Sequence, residues 1–258
     1  MPVHEYAYIY SATSEATGTA KENLLDQNLD TIWTPTTTDT QYIIIDLGSA
    51  RPLSAIGLWI ANYLTDFSAT HVSVEGKVDS NFASGATLIL DSVSLTHLLN
   101  PLWFYDFAET NTFRYFRITL ASLPAVIDLA HIFLLNKHAL TYSYNKDASS
   151  KNKRYSNNRV TLNGNKQYIS TADKSYVYVL HRTYDAIGTT FMTMMQTIFD
   201  NSFGGRQLII LQEGDAVSDA LVCRIMHDEP QVTIMDYNYE QHVLDMESLA
   251  YIKDGEVF

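Results

Sequence analysis

The feature that most limits what this chain can fold into is a succession of short apolar runs, separated by turn residues, from about residue 6 to residue 140. Tyr42-Ile43-Ile44-Ile45-Asp46-Leu47-Gly48 reads as a strand ending in a glycine turn. Ile56-Gly57-Leu58-Trp59-Ile60, Val72-Ser73-Val74-Glu75 and Thr87-Leu88-Ile89-Leu90 follow. Residues 113–120 alternate strictly, and Ile132-Phe133-Leu134-Leu135 closes the set. Many short strands with almost no helical period predict a sandwich or jelly roll. The 17 Tyr and 11 Phe strengthen that expectation, because aromatic side chains suit a pleated, half-buried surface.

Residues 141–160 change character abruptly, with Ser, Asn and Lys replacing apolar residues. Such a composition buries too little surface to order itself and reads as a polar, basic linker. Lys146, Lys151, Lys153, Arg154 and Arg159 there, with Lys166 just beyond, form a basic stretch with Asp147 alone against it. A solvated linker is the ordinary reading; a docking patch for an acidic partner is the other. The expected division is therefore a domain over 1–140, a linker over 141–160 and a smaller domain over 161–258. The smaller domain reads as a β-barrel or α+β unit, with strands at 167–170, 175–181, 206–211, 221–226 and 231–240. One amphipathic helix is predicted over 186–201, where Ile187, Phe191, Met194, Met195 and Ile198 share a stripe. Gly204-Gly205 would stop it. A last strand or short helix is expected around 243–252.

The run from Asn23 to Trp33, Asn-Leu-Leu-Asp-Gln-Asn-Leu-Asp-Thr-Ile-Trp, resembles the element near the start of discoidin, or coagulation factor 5/8 type C, domains. Gln41 to Gly48, Arg51-Pro52-Leu53-Ser54-Ala55-Ile56 and Arg114-Tyr115-Phe116-Arg117-Ile118 resemble later elements of the same family, in the same order. The resemblance covers about 120 residues and implies a galactose-binding-like jelly-roll sandwich, a fold shared with carbohydrate-binding modules of glycosidases.

That resemblance also implies a structural calcium in the first loop, with Asp26, Asn28, Thr31 and the Asn23 carbonyl as its ligands. An Asp- and Asn-rich turn suits a hard cation, since it can aim several oxygens at one centre. Two residues depart from the family pattern: Gln27 stands where a glycine is usual, and His131 where a late glutamate completes the site. The alternative is an Asx-stabilised loop packing Trp33, which reads as a core lid. Ligands in this fold bind at the loops on one end. The loops best supplied with aromatic faces are 62–67, with Tyr63, Asp66 and Phe67, and 101–105, with Trp103 and Tyr105. Those five residues are the candidate ligand contacts; packing of the sandwich end or of a protein interface is the competing use.

The second half is similar in pattern to the β-barrel domains of siphophage distal-tail and tail-tip proteins. That likeness implies a virion tail protein, homo-oligomeric, with other tail proteins as partners and a host-surface glycan as target. A soluble lectin-like protein is the alternative. A net charge of −12 argues against nucleic acid and anionic lipid. No run reaches membrane-spanning length, and the first residues lack a secretion signal, so neither membrane insertion nor export is expected. Cys223, the only cysteine, sits in a strand-like run as an inert thiol. No catalytic residues are assigned and no cofactor is required. Catalytic motifs are absent, and the one compact acid–base cluster, His227-Asp228-Glu229, reads as a solvated turn before Pro230.

Overall fold

The computed structural model describes residues 7–95 and 101–136 with their side chains and, beyond them, the backbone of strands between residues 151 and 250. The chain divides between Ala139 and Leu140 into two units. Both are built of antiparallel strands, as the mainly β reading expects.

The first unit is organised by two 20-residue strands, β2 (Gln41–Ile60) and β5 (Leu102–Ala121), which pair along their whole length. Their register starts at Gln41↔Leu120 and ends at Trp59↔Leu102. In between, β2 advances from Asp46 to Arg51 while β5 retreats only from Tyr115 to Phe113. The imbalance then reverses, Leu53 to Ala55 against Asn111 to Asp106. Two compensating bulges of this kind bend a ribbon without losing its register, and they let it turn a corner from one sheet into another.

The first half of β2 and the last half of β5 belong to a five-stranded sheet, completed by β1 (Tyr8–Ala12), β3 (His71–Lys77) and β4 (Thr87–Ser94) in the order β1-β2-β5-β3-β4. The second half of β2 lies between the first half of β5 and β6 (Leu129–Leu135), a three-stranded sheet. Ile43, Ile45, Val72, Val74, Phe116 and Ile118 from the first sheet share one core cluster with Ile56, Leu58, Ile132 and Leu134 from the second. This is a sandwich of five strands on three. Burial explains the two sequence patterns. Residues 41–45 of β2 alternate buried with exposed or half-buried, whereas residues 53–60 and the whole of β6 are buried on both faces.

Gly76 of β3 shows how tight this core is. A Cβ there would stand 2.2 Å from Phe113 Cδ2 and 2.7 Å from Phe113 Cε2, so the Phe113 ring must move as a body. Gly76→Ala is expected to cost about 1–3 kcal/mol through overpacking, read as a lower urea midpoint with an unchanged slope.

Two expectations are corrected here. Trp103 and Tyr105, read as loop residues, lie in strand β5; the bulges let that strand run on far beyond the alternating 113–120 segment. Residues 151–160 are not linker but strand β7 (Lys151–Val160), paired with β8 (Lys166–Tyr184) from Lys151↔Val177 to Val160↔Lys166. In the second unit β7 ends the order β7-β8-β12-β10-β9, with β11 on β12. An end strand is held by backbone hydrogen bonds and commonly carries polar and basic residues, which is why composition alone read it as unstructured. The remaining strands are β9 (Leu208–Gln212), β10 (Ala220–Ile225, containing Cys223), β11 (Gln231–Asp236) and β12 (Tyr239–Ala250). The single strand expected over 231–240 is thus a hairpin of β11 and β12. The helix expected over 186–201 lies outside the described residues.

Candidate functional site

The connections 13–40, 61–70 and 122–128 gather at one end of the sandwich, because β2 begins and ends beside them and β3 and β6 start from them. They are tied together by polar side chains. Asn62 donates through Nδ2 to the Val126 carbonyl (2.9 Å) and accepts the Asp128 amide (2.9 Å). Thr34 Oγ1 donates to Asp128 Oδ1 (2.7 Å). Trp33 is fully buried; its backbone pairs with Leu129 in both directions, and its indole N–H donates to the Ser14 carbonyl at 3.1 Å. It is the core lid that the sequence suggested.

Of the aromatic candidates at this end, Phe67 (2% exposed) and Trp103 (5%) belong to the core. Neither can offer a ring face to a sugar. Tyr63 and Tyr105 are half-buried and pack against the same core, with Trp103 and Tyr105 stacked at 6.1 Å. Asp66 is exposed and caps the Ser68 amide (2.9 Å). The correction is physical: an aromatic in a loop-like stretch next to a core gains more from burial than from exposure. Leu64, which the motif reading passed over, is 81% exposed here.

The calcium candidates form a self-closed loop after the 3₁₀ turn Lys21–Leu25. The Asp26 carboxylate accepts the Asn28 amide (2.9 Å) on one oxygen and the Thr31 hydroxyl (2.6 Å) on the other. Asn28 Oδ1 accepts the Asp30 amide (3.0 Å), the Asn23 side chain donates to the Ile32 carbonyl (2.7 Å), and the Asn23 carbonyl accepts the Asp26 amide. Calcium asks for about six to eight oxygens, several of them charged. Asp26 is the only carboxylate among the four candidates, and among the described residues no three His, Cys, Asp or Glu side chains converge on one point. The residues present do not fit the ion.

A second cluster, which loop-based reasoning missed, lies on the outer face of the five-stranded sheet. Tyr8, Tyr10 and Tyr42 are 51%, 47% and 40% exposed. Tyr10 meets the Tyr115 ring edge-on at 6.0 Å. The Arg117 guanidinium lies 5.3 Å from the Tyr42 centroid and 5.0 Å from that of Phe82, and its Nε donates to Glu75 at 2.7 Å. Beside them, the buried Asp46 receives Arg114 through Nε (2.8 Å) and Nη2 (2.9 Å), the Gly48 amide (2.7 Å) and the Tyr8 hydroxyl (3.0 Å). Burial alone would raise the Asp46 carboxyl, but the bonds from Arg114, Gly48, Tyr115 and Tyr8 outweigh it and hold it at about 2. The hydrogen bond to Asp46 raises the Tyr8 hydroxyl, and burial followed by the same carboxylate raises that of Tyr115. Both phenols are therefore kept as neutral donors. The alternation Tyr8-Ile9-Tyr10, with period two, was the signal available in the sequence.

No family model and no curated protein matches the sequence. Among solved structures, those similar to the N-terminal half include CBM structures. One is CpGH89CBM32-6 produced by Clostridium perfringens, with 19% identity and a TM-score of 0.42 over 53% of this chain and 100% of that one. Another is the CBM32 of AlyQ in complex with 4,5-unsaturated mannuronic acid, at 27% identity and 0.41 over 51% and 98%. A third is the family 32 CBM from C. perfringens NanJ in complex with galactose, at 20% and 0.41 over 50% and 90%.

Proposed function

We propose that the first unit is a non-catalytic carbohydrate-binding module whose contact surface is the tyrosine-bearing outer face of its five-stranded sheet. The observation that carries this reading is the set of exposed rings, Tyr8, Tyr10 and Tyr42, held on adjacent strands next to Arg117 and Glu75. Sugars are bound by stacking their C–H faces on aromatic rings while planar polar groups take the hydroxyls, and this face supplies both. The rings are also preorganised. Tyr8 is tethered to Asp46, Tyr10 rests on Tyr115, and Tyr42 lies beside the Arg117 guanidinium, so little side-chain freedom is lost on binding. The carboxylates at this face, Asp46 and Glu75, are each engaged by an arginine, an arrangement suited to structure and recognition rather than to proton transfer.

A glycan array followed by affinity electrophoresis tests this. Tyr10→Ala with Tyr42→Ala is expected to weaken binding of a retained glycan at least about tenfold, the equivalent of roughly 1.4 kcal/mol. Tyr63→Ala at the loop end is expected to change it little. Loss with Tyr63→Ala alone would move the site to the loops, and an array with no retained glycan would remove the reading altogether.

The larger setting we propose is a virion tail protein in which the second unit assembles with copies of itself and with other tail proteins. Its support is the sequence pattern of the second half, and the mass of the protein in solution tests it.

A further inference from the structure

We infer that the clasp between the first loop and strand β6 is closed by protein groups alone, with Gln27 and His131 doing what the family assigns to a cation, so that folding of the sandwich is independent of calcium. Three observations lead there. First, side-chain oxygens that would be ligands are already acceptors of well-formed hydrogen bonds inside the loop: both Asp26 carboxylate oxygens and Asn28 Oδ1. Second, Gln27 holds a left-handed backbone with φ of 62°. A side chain at such a position is strained relative to glycine, and keeping it calls for a compensating contact. The contact is Gln27 Nε2 to His131 Nε2, at 3.5 Å. Third, His131 is 1% exposed, sits in the middle of β6 and packs edge-on against Phe133 at 4.6 Å. A buried imidazole therefore stands where a second carboxylate would have to neutralise a dication.

The two departures from the family pattern are consequently one feature. A side-chain amide and an imidazole, 104 positions apart in sequence, join the loop to the sheet. The backbone pairing of Trp33 with Leu129, two residues before His131, completes the join. A cation bridging the same elements would be held best by a carboxylate from β6 as well as from the loop, and here the side chain at that place on β6, His131, offers nitrogen.

The test uses the full chain. Thermal unfolding is followed in millimolar calcium and in excess EDTA, and calcium binding is titrated calorimetrically. The two midpoints are expected to coincide, with no heat of binding. A midpoint that rises with calcium and falls with EDTA, as linkage requires of any ion bound only by the folded state, overturns the inference. The double variant Gln27→Gly/His131→Glu restores the glycine and the carboxylate and is expected to acquire a calcium-dependent midpoint. If that variant folds and stays blind to calcium, the role assigned to these two residues is wrong. If it does not fold, the chelation comparison on the unaltered chain still decides the matter.

Discussion

Asp46→Asn is expected to cost the protein about 3 kcal/mol and to flatten the acid limb of its stability curve. The carboxylate is fully buried and accepts bonds from Arg114, the Gly48 amide and Tyr8. Turning one of its oxygens into an NH₂ sets donor against donor and leaves the guanidinium without its counter-charge. Breaking one side of a buried pair costs about 3–5 kcal/mol. The lower end applies here because the Arg114 side chain is 43% exposed and can recover water. The pH dependence follows from the direction of the shift. The folded-state value, about 2, lies below the ordinary 3.8. The stabilisation is therefore complete above about pH 4, drains away as the pH falls through 3.8 towards 2, and is gone below that. Its size, from the linkage relation, is about 2 kcal/mol. Urea midpoints at pH 7, 4 and 2.5 check both statements. The unaltered protein should lose more than half of this increment between the last two, while Asp46→Asn, already weakened, should lose less. An unchanged slope in the variant would place the acid sensitivity elsewhere.

This network also shows which parts of the molecule the sequence exposes. Asp46-Leu47-Gly48 reads as a strand end because Gly48 takes a positive φ of 73° and its amide returns to Asp46, yet β2 runs on through it to Ile60, so the glycine marks a bulge and not an end. The alternation of residues 113–120 was legible for a similar local reason, one face of β5 being buried and the other half-open. What local pattern could not carry was the length of β5. Leu102, Trp103 and Phe104 are buried in succession and residues 108–110 are exposed in succession, so the stretch around Trp103 and Tyr105 lacks the period-two signal of a one-sided strand. Pro101 just before them reads as a loop marker. The same limit applied to β7, a polar stretch whose backbone is ordered by pairing with β8.

The candidate site divides along the same line. Aromatic content draws attention to loops, yet ring exposure is decided by tertiary packing: Phe67 and Trp103 are taken into the core, while Tyr8 and Tyr10 are left outside it. Strand β1 escaped notice because it is short, bulged between Ile9 and Ser11, and isolated from the other runs by the long 13–40 connection. Its alternation was present all the same. A period-two count of tyrosines, rather than a search for aromatic loops, would have found the face on which the proposed function rests.

Trp33→Ala should be the most damaging single change in the first unit, costing about 3–5 kcal/mol. That is a large part of the roughly 5–15 kcal/mol that separates folded from unfolded in ordinary domains. The indole is fully buried within the core cluster, and losing it creates a void that the surrounding structure cannot readily close. The neighbouring segments are held in place by the Trp33–Leu129 backbone pair and by Thr34 on Asp128. The Ser14 carbonyl would lose its indole donor as well. Trp33→Phe separates the two contributions. It keeps most of the packing and removes the N–H, so its cost should fall to about 1–2 kcal/mol. Leu64→Ala, at a side chain 81% exposed on the same end of the sandwich, should fall within about 0.5 kcal/mol of the unaltered protein. Equilibrium urea unfolding of the three variants orders them as Trp33→Ala, then Trp33→Phe, then Leu64→Ala. If Trp33→Ala unfolded no more easily than Leu64→Ala, the first loop would be an ornament on the sandwich and not the clasp that closes it.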